Sequence, residues 1–288
     1  MGKKGKKTQA GKPKKLTPKD VGKRLDALVK KLEEELKGAD LFAALPPTED
    51  CAICFVPHSR VDSETYYQAC CGNSICYACY KENEASIKKQ KNAGKKVAFT
   101  CPFCRKPEPT CMDEETAMIQ ARCLQNDHDA FTLMGELYRN GGHQVAKDDL
   151  KALDCWIRAV ELNGADACIC IGDVYDKGNE VTVDKERAAL FWRVGALRGD
   201  VGARYNIGVA EYDLGNHEIA IRHWKIAAEA GYQPSLNALR KIYNAGNKEP
   251  GEEFISKEYL DFVYRACHEA QMEVKSEERE KHRTSTSS

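Results

Sequence analysis

Three cysteine pairs in this 288-residue sequence have two residues between their thiols: Cys51 and Cys54 in CAIC, Cys76 and Cys79 in CYAC, Cys101 and Cys104 in CPFC. A fourth pair, Cys70 and Cys71, is vicinal and lies in QACCGNSICYACY. Two intervening residues let a tight turn aim both sulfurs at one tetrahedral ion, at sulfur–metal distances of about 2.3 Å. Eight soft ligands fill two four-coordinate sites with no open position, which suits two structural zinc ions. The vicinal pair is a special case. Neighbouring side chains diverge on extended backbone, so Cys70 and Cys71 share an ion only if the chain turns sharply, and Gly72 supplies that freedom. His58 or a water is the alternative donor to Cys70. Left uncoordinated, so many thiols in one short polar stretch would be an oxidation liability.

The whole chain has fourteen cysteines. The six outside this region, Cys111, Cys123, Cys155, Cys168, Cys170 and Cys267, are scattered among helical patterns and read as small buried hydrophobes. Charged residues are abundant but cancel, with Lys and Arg equal in number to Asp and Glu. No general attraction to nucleic acid or membrane follows, and no basic stripe with interleaved aromatics stands outside the first fifteen residues. The opening MGKKGKKTQAGKPKK has no apolar core of a signal peptide, Lys6 stands where a myristoylation signal wants Ser or Thr, and no later run is long enough to span a bilayer. The expected location is cytoplasmic or nuclear. In a reducing compartment this cysteine density points to metal over disulfides.

The order CAIC, CCGNSICYAC, CPFCRKP resembles a RING finger, whose alternate ligand pairs interleave in a cross-brace. The likeness covers about a fifth of the chain. It implies that Cys51, Cys54, Cys76 and Cys79 hold one zinc and Cys70, Cys71, Cys101 and Cys104 the other. RING fingers usually have histidine two residues after the third ligand; Asn73 stands there instead, so the resemblance is to an all-cysteine variant.

The elements that must carry this region are helical. Residues 1–15 are Lys- and Gly-rich and are expected to be disordered. TPKDVGKRLDALVKKLEEELKG predicts an amphipathic helix over 16–38, with Thr17 as N-cap, Pro18 at the first position, Asp20 in capping-box position and Gly38 past the end. Its stripe of Val21, Leu25, Leu28, Leu32 and Leu36 is expected to pack on the chain itself. Residues 39–50 form a linker, 51–109 the zinc finger, 117–270 a repeat array and 271–288 a charged helix end with a polar tail.

The array shows a period of about 32 to 37 residues. Gly135, Gly172 and Gly208 share one position, Trp156, Trp192 and Trp224 another, and Ala152, Ala188 and Ala220 precede each tryptophan by one turn. Asn163, Gly199 and Gly231 end the second helix of each unit, where a left-handed residue is wanted. Each unit reads as a helical hairpin with small residues at close approaches and tryptophan between layers; stacking buries a core that no unit buries alone. The pattern resembles the Sel1-like repeat, a relative of the tetratricopeptide repeat. Leu239, Tyr243 and Gly246 mark a divergent fourth unit in which Arg240 replaces the glycine, and TAMIQARCLQND reads as a helix joining finger to array. The expected fold is mainly α: a small zinc-bound cross-brace followed by an α-helical hairpin solenoid.

His128, His143, His217, His223 and His268 are scattered with no nucleophile and acid in a recognisable motif, so hydrolase chemistry has no support. The RING resemblance implies a ubiquitin ligase that grips a ubiquitin-charged conjugating enzyme and forms no covalent intermediate, with a substrate or partner protein on the repeats. It places Ile53 and Pro102 at the conjugating-enzyme contact and Arg105 at the cation that bridges ubiquitin and that enzyme. The competing expectation is a non-catalytic adaptor in which the zinc module caps or orients the solenoid.

Overall fold

The computed structural model describes residues 16–60, 65–142, 145–178, 181–245 and 255–273. The expectations for residues 1–15, the polar tail, His143 and Gly246 lie outside that range. Among the described residues the chain is mainly helical, with eleven helices and one two-stranded sheet.

Helix α1 (Pro18–Leu36) starts as its sequence dictates. Thr17 accepts the Asp20 N–H at 3.2 Å while its hydroxyl donates to the Asp20 carboxylate at 2.6 Å, and Gly38 follows the end at φ 73°. Its buried stripe is Val21, Leu25, Leu28, Val29 and Leu32, with Leu36 packed at the margin. This face lies on α5 (Asp149–Glu161) and α7 (Lys185–Leu197), in one core with Trp156, Ile157 and Val194. Each such side chain contributes about 1.5–3 kcal/mol when fully buried, so α1 is an integral layer of the solenoid. Arg24 reaches Asp154 and Glu161, and Arg198 pairs with Glu35 at 3.0 Å, orienting the helix at both ends.

The solenoid is built from α4 (His128–Asn140) with α5, α6 (Asp166–Lys177) with α7, and α8 (Val201–Asp213) with α9 (His217–Glu229). At Gly135, Gly172 and Gly208 alike, an added Cβ would stand 2.6 Å from Cδ1 of Trp156, Trp192 and Trp224 respectively. The glycine is there because the next helix lays its indole on that backbone. Trp156 and Trp224 donate to the carbonyls of Thr132 and Tyr205 at 3.3 and 3.2 Å, whereas the buried Trp192 N–H has no acceptor among the described residues. Asn163, Gly199 and Gly231 adopt φ of 74°, 98° and 95°, the left-handed ends that the pattern required. Aspartates cap four helix starts: Asp127, Asp148, Asp184 and Asp200 accept backbone N–H groups of the first turn. A closing pair, α10 (Gln233–Asn244) and α11 (Lys257–Glu273), packs on α9 through Leu236, Leu239, Val263 and Cys267. Arg240, in the glycine position, is exposed, as a unit without a tryptophan allows.

Between α1 and the cysteine region the chain is fastened to the solenoid. Arg204, 2% exposed, donates to the carbonyls of Leu41 and Ala196; Arg60 donates to those of Pro46 and Gly199; and Phe42 sits between the Arg222 guanidinium, 3.7 Å from its ring centre, and the His223 ring, 4.8 Å away. His223 is 1% exposed, and its Nδ1 has no partner among the described residues. Burial, followed by the Arg204 charge, pushes its pKa down to about 4; Glu211 opposes, and Arg193 and Arg222 add to the depression. The folded chain therefore binds this proton more weakly than the unfolded chain. The stability is fully present above the ordinary histidine value near 6.5 and is lost as pH falls toward 4, by up to about 3 kcal/mol. Denaturation midpoints followed by tryptophan emission at pH 7 and pH 5 should show this loss, and His223→Gln should lack most of it. Equal pH dependence in both proteins would refute the assignment.

Candidate metal centre

The cysteines are set by two knuckles, a hairpin and a helix. In the first knuckle the Cys51 N–H donates to the Val56 carbonyl at 2.9 Å and the Phe55 N–H to the Cys51 carbonyl at 2.9 Å. In the second, the Cys101 N–H donates to Lys106 at 2.8 Å and the Arg105 N–H to Cys101 at 3.0 Å. Phe55 and Arg105, each just after the second cysteine of its pair, are left-handed at φ 55° and 62°. Matching bridges, Asp50 with Pro57 and Thr100 with Pro107, close both loops. The finger thus uses one local structure twice. The signal was present in the sequence as C-x-x-C-x-x-P at both places, and reading the pairs only for ligand spacing missed it.

The vicinal pair sits in the turn between β1 (Thr65–Gln68) and β2 (Asn73–Cys76). The Cys71 and Gly72 N–H groups both donate to the Gln68 carbonyl, at 3.0 and 2.8 Å, and Gly72 takes φ 76°. This is the sharp turn that two neighbouring thiols need to face one point. A side chain at Gly72 would also collide with the Arg122 guanidinium, so the position is restricted by conformation and by space. Helix α2 (Tyr77–Asn92) then begins directly after Cys76 and carries Cys79 in its first turn.

Two groups of four thiols result, Cys51, Cys54, Cys76 and Cys79 in one and Cys70, Cys71, Cys101 and Cys104 in the other, with all sulfurs of a group within 4.8 Å of one another. Neither group includes His58, the alternative donor to Cys70. Its Nδ1 is buried without a partner among the described residues. Within the groups, Cys54 and Cys76 are 3.8 Å apart, Cys71 and Cys101 3.9 Å, and Cys70 and Cys104 3.4 Å. A disulfide needs about 2.05 Å, whereas the edge of a zinc–sulfur tetrahedron with 2.3 Å bonds is about 3.8 Å. The donor set and its spacing therefore fit zinc.

Charge says the same. Hydrogen bonds from the Cys76 and Cys79 thiols drive Cys51 far below the usual thiol range, and the reciprocal contact with Cys51 drives Cys79 far above it. Burial raises Cys54 to about 11, and burial also raises Cys70 and Cys101. Burial opposes ionisation at Cys104 too, but hydrogen bonds from the Lys106 backbone and the neighbouring thiols hold it low. Four thiolates this close repel one another, so the group shares protons unless a dication replaces them.

The first centre is buried at all four cysteines, and Ile75 lies among them. The second is more open, with only Cys101 buried. Ile53 packs against the first centre and is half-buried; Pro102 is half-buried and Arg105 exposed beside the second. Of the six remaining cysteines, Cys168 and Cys267 are buried as expected, and Cys123, Cys155 and Cys170 are half-buried. Cys111 is exposed, because it precedes α3 (Met112–Cys123) at the edge of the finger and faces away from either core.

The finger is joined to the first repeat by a polar network over an apolar seam. Tyr67 donates to Asp127 at 2.8 Å, and Arg122 reaches the same carboxylate from Nε and Nη2 at 2.9 and 2.8 Å. Burial alone would raise the Asp127 pKa, but these donors outweigh it and hold the carboxyl below its usual value. Beneath lie Tyr67 and Ala69 of the hairpin against Ile119, Ala130 and Met134. Helix α3 therefore couples the cysteine region to α4, the joining role that its sequence implied.

No protein-family model matches the sequence. Among solved structures, a Sel1 repeat protein from Oxalobacter formigenes is 27% identical, covering 66% of this chain and 76% of that one, with a TM-score of 0.46. The protective antigen c5321 of uropathogenic Escherichia coli, described as displaying an SLR fold, is 23% identical with a TM-score of 0.45. That match covers 54% of this chain and spans only 33% of the antigen. The immunity protein Pa5087 of Pseudomonas aeruginosa is 14% identical, covering 67% and 83% of the two chains, with a TM-score of 0.34. The helical-hairpin architecture stands on this chain's own packing, in which three glycine–tryptophan contacts recur at the same place in successive hairpins. No helix among the described residues is long and apolar enough to cross a membrane.

Proposed function

We propose that the chain is a RING-type ubiquitin ligase whose cysteine region recruits a charged conjugating enzyme and whose solenoid holds a protein substrate or partner. The observation that carries this reading is the interleaving of the thiol groups: in chain order, the first cysteine pair (Cys51, Cys54) converges with the third (Cys76, Cys79), and the second, vicinal pair (Cys70, Cys71) with the fourth (Cys101, Cys104). Two consecutive, independent metal loops would pair first with second and third with fourth. Zinc, when bound, supplies a rigid crosslink between the knuckles, the hairpin and α2, and Ile53, Pro102 and Arg105 then stand on a fixed surface. Arg105 adds support. It is exposed in a left-handed conformation where glycine would cost less, and strain of that kind is retained where the side chain has a use. A planar, permanently charged guanidinium suits a bridge between two bound proteins. The chain's contribution to rate would be positioning of a reactive thioester made by other enzymes.

The adaptor reading has its own support. The Tyr67–Asp127–Arg122 network and the strap from Leu41 to Pro46 fix the cysteine region on the solenoid, as a structural cap requires. Discharge of ubiquitin from a panel of conjugating enzymes separates the two. Under the ligase reading the purified chain accelerates discharge with at least one enzyme. Ile53→Ala weakens docking at least fivefold if it is a hot spot, and Arg105→Ala leaves docking largely intact but slows discharge. If no enzyme responds, or both variants match wild type at unchanged zinc content, the adaptor reading stands.

A further inference from the structure

Residues 85–107 contain seven cations and no carboxylate, in a chain whose formal charges cancel overall. The fold collects them. Lys88, Lys89 and Lys91 lie on the last turns of α2, Lys95 and Lys96 in the segment after it, and Arg105 and Lys106 on the second knuckle. Lys88 pairs with Glu84 at 2.8 Å; the other six are exposed and have no carboxylate partner among the described residues. Asn83 donates to the Thr100 carbonyl at 3.0 Å, and the Lys91 ammonium stands 3.9 Å from the centre of the Phe99 ring. These contacts make α2 and the chain entering the knuckle one surface. Phe103, between Cys101 and Cys104 on that knuckle, is 48% exposed.

Folding does not account for this charge. Lys89 and Lys91 complement the helix dipole at the end of α2, but Lys95 and Lys96 lie beyond it. A zinc ion with four thiolates carries a formal charge of about −2, and Arg105 and Lys106, flanking Cys104, offset it locally. Lys95 and Lys96 remain uncompensated, and they add to the positive field of Lys89 and Lys91. Phe99 and Phe103 stand between Lys96 and Arg105 in the sequence, an interleaving that the search for a basic stripe passed over, and the fold adds Lys91 to it at the Phe99 ring.

We infer that this face binds the phosphate backbone of single-stranded nucleic acid, with Phe103 offering a ring for a base to stack on. Its cations are spread over three segments, not gathered around a cavity, which suits a ligand with regularly repeated charge. An acidic protein segment is the other polyanion, but it would leave the exposed ring without a matching planar group. The inference is independent of ligase activity.

The test is fluorescence anisotropy of a labelled 20-nucleotide oligouridylate with the zinc-replete full chain. Replacing Lys89, Lys91, Lys95 and Lys96 by Glu should weaken binding at least roughly 30-fold at low salt and flatten the plot of log affinity against log salt by about 3 units of slope. The same four positions changed to Gln should weaken it less, in the same direction. Reversing Lys19, Lys23, Lys30 and Lys31 on the exposed side of α1 alters net charge equally and should change affinity by less than about threefold. Phe103→Ala should weaken binding roughly tenfold without altering the salt slope. Wild-type affinity in the α2 variants, equal losses in the α1 and α2 variants, or polyglutamate competing as well as unlabelled oligouridylate would each overturn the inference.

Discussion

Removal of zinc by a chelator is expected to unfold the cysteine region while the solenoid keeps its helices. Structural zinc contributes on the order of 10 kcal/mol of apparent folding free energy in small modules, and this region has little else. Its own apolar cluster is Ile75 with the first-centre cysteines and a few half-buried neighbours, around a sheet of two four-residue strands. The solenoid has a separate and far larger core, with α1 built into it. The protein's three tryptophans all lie in that core or the adjoining C-terminal one. Tryptophan emission should therefore stay at its native wavelength in chelator while dichroism loses the contribution of α2. Elemental analysis of reduced, metal-replete protein should find two zinc ions per chain. The centres should also differ in severity. Cys54→Ser removes a donor from the fully buried group and should unfold the finger. Cys104→Ser opens the more solvent-exposed group, where water can substitute, and should be milder. One ion or none per chain would end the two-centre assignment, and a red-shifted tryptophan spectrum in chelator would end the independence of the solenoid.

How far the sequence discloses this molecule depends on whether the signal is local. The glycine–tryptophan positions were legible because a stacked repeat must solve one packing problem many times, and the solution recurs at fixed spacing. The cap of α1 was legible for the same reason, since Thr17, Pro18 and Asp20 act within one turn. The surface covered by α1 was not, because a stripe of leucines and valines says that something is buried and not against what. The ligand pairing was legible only through likeness to a known finger: eight cysteines in four pairs permit several pairings, and spacing favours none. Residues 39–50 read as a linker because their composition is that of a loop. Of the arginines that hold them, Arg204 and Arg222 are distant in sequence, and Arg60 and Arg204 act on backbone carbonyls, which leave no trace in residue type. The exposure of Cys111 illustrates the opposite error, in which a residue type that is usually buried stands at the edge of a small module.

The second large effect is expected at the contact between hairpin glycine and tryptophan. In Gly172→Ala the new methyl would stand 2.6 Å from Cδ1 of Trp192, closer than carbon atoms approach, and α6 and α7 must separate to admit it. Overpacking of this kind costs about 1–3 kcal/mol. Truncating the ring instead, in Trp192→Ala, removes a 6%-exposed indole from the main core and should cost about 3–5 kcal/mol. The two effects are one contact seen from both sides, so they cannot add. In a Trp192→Leu background the methyl at position 172 enters space that the indole has vacated, and Gly172→Ala should cost little or become favourable, a coupling of at least about 1 kcal/mol. The hydrogen bonds sharpen the comparison between units. Trp156→Phe gives up the bond to Thr132 and leaves that carbonyl exposed to a dry interface, whereas Trp192→Phe removes a buried donor that has no acceptor among the described residues. The first should therefore be more destabilising than the second by about 1 kcal/mol, although the ring lost is the same. Urea denaturation of the five single variants and the double variant measures all of these terms. Additive costs at positions 172 and 192 would mean that the glycine is retained for some reason other than the indole that lies on it.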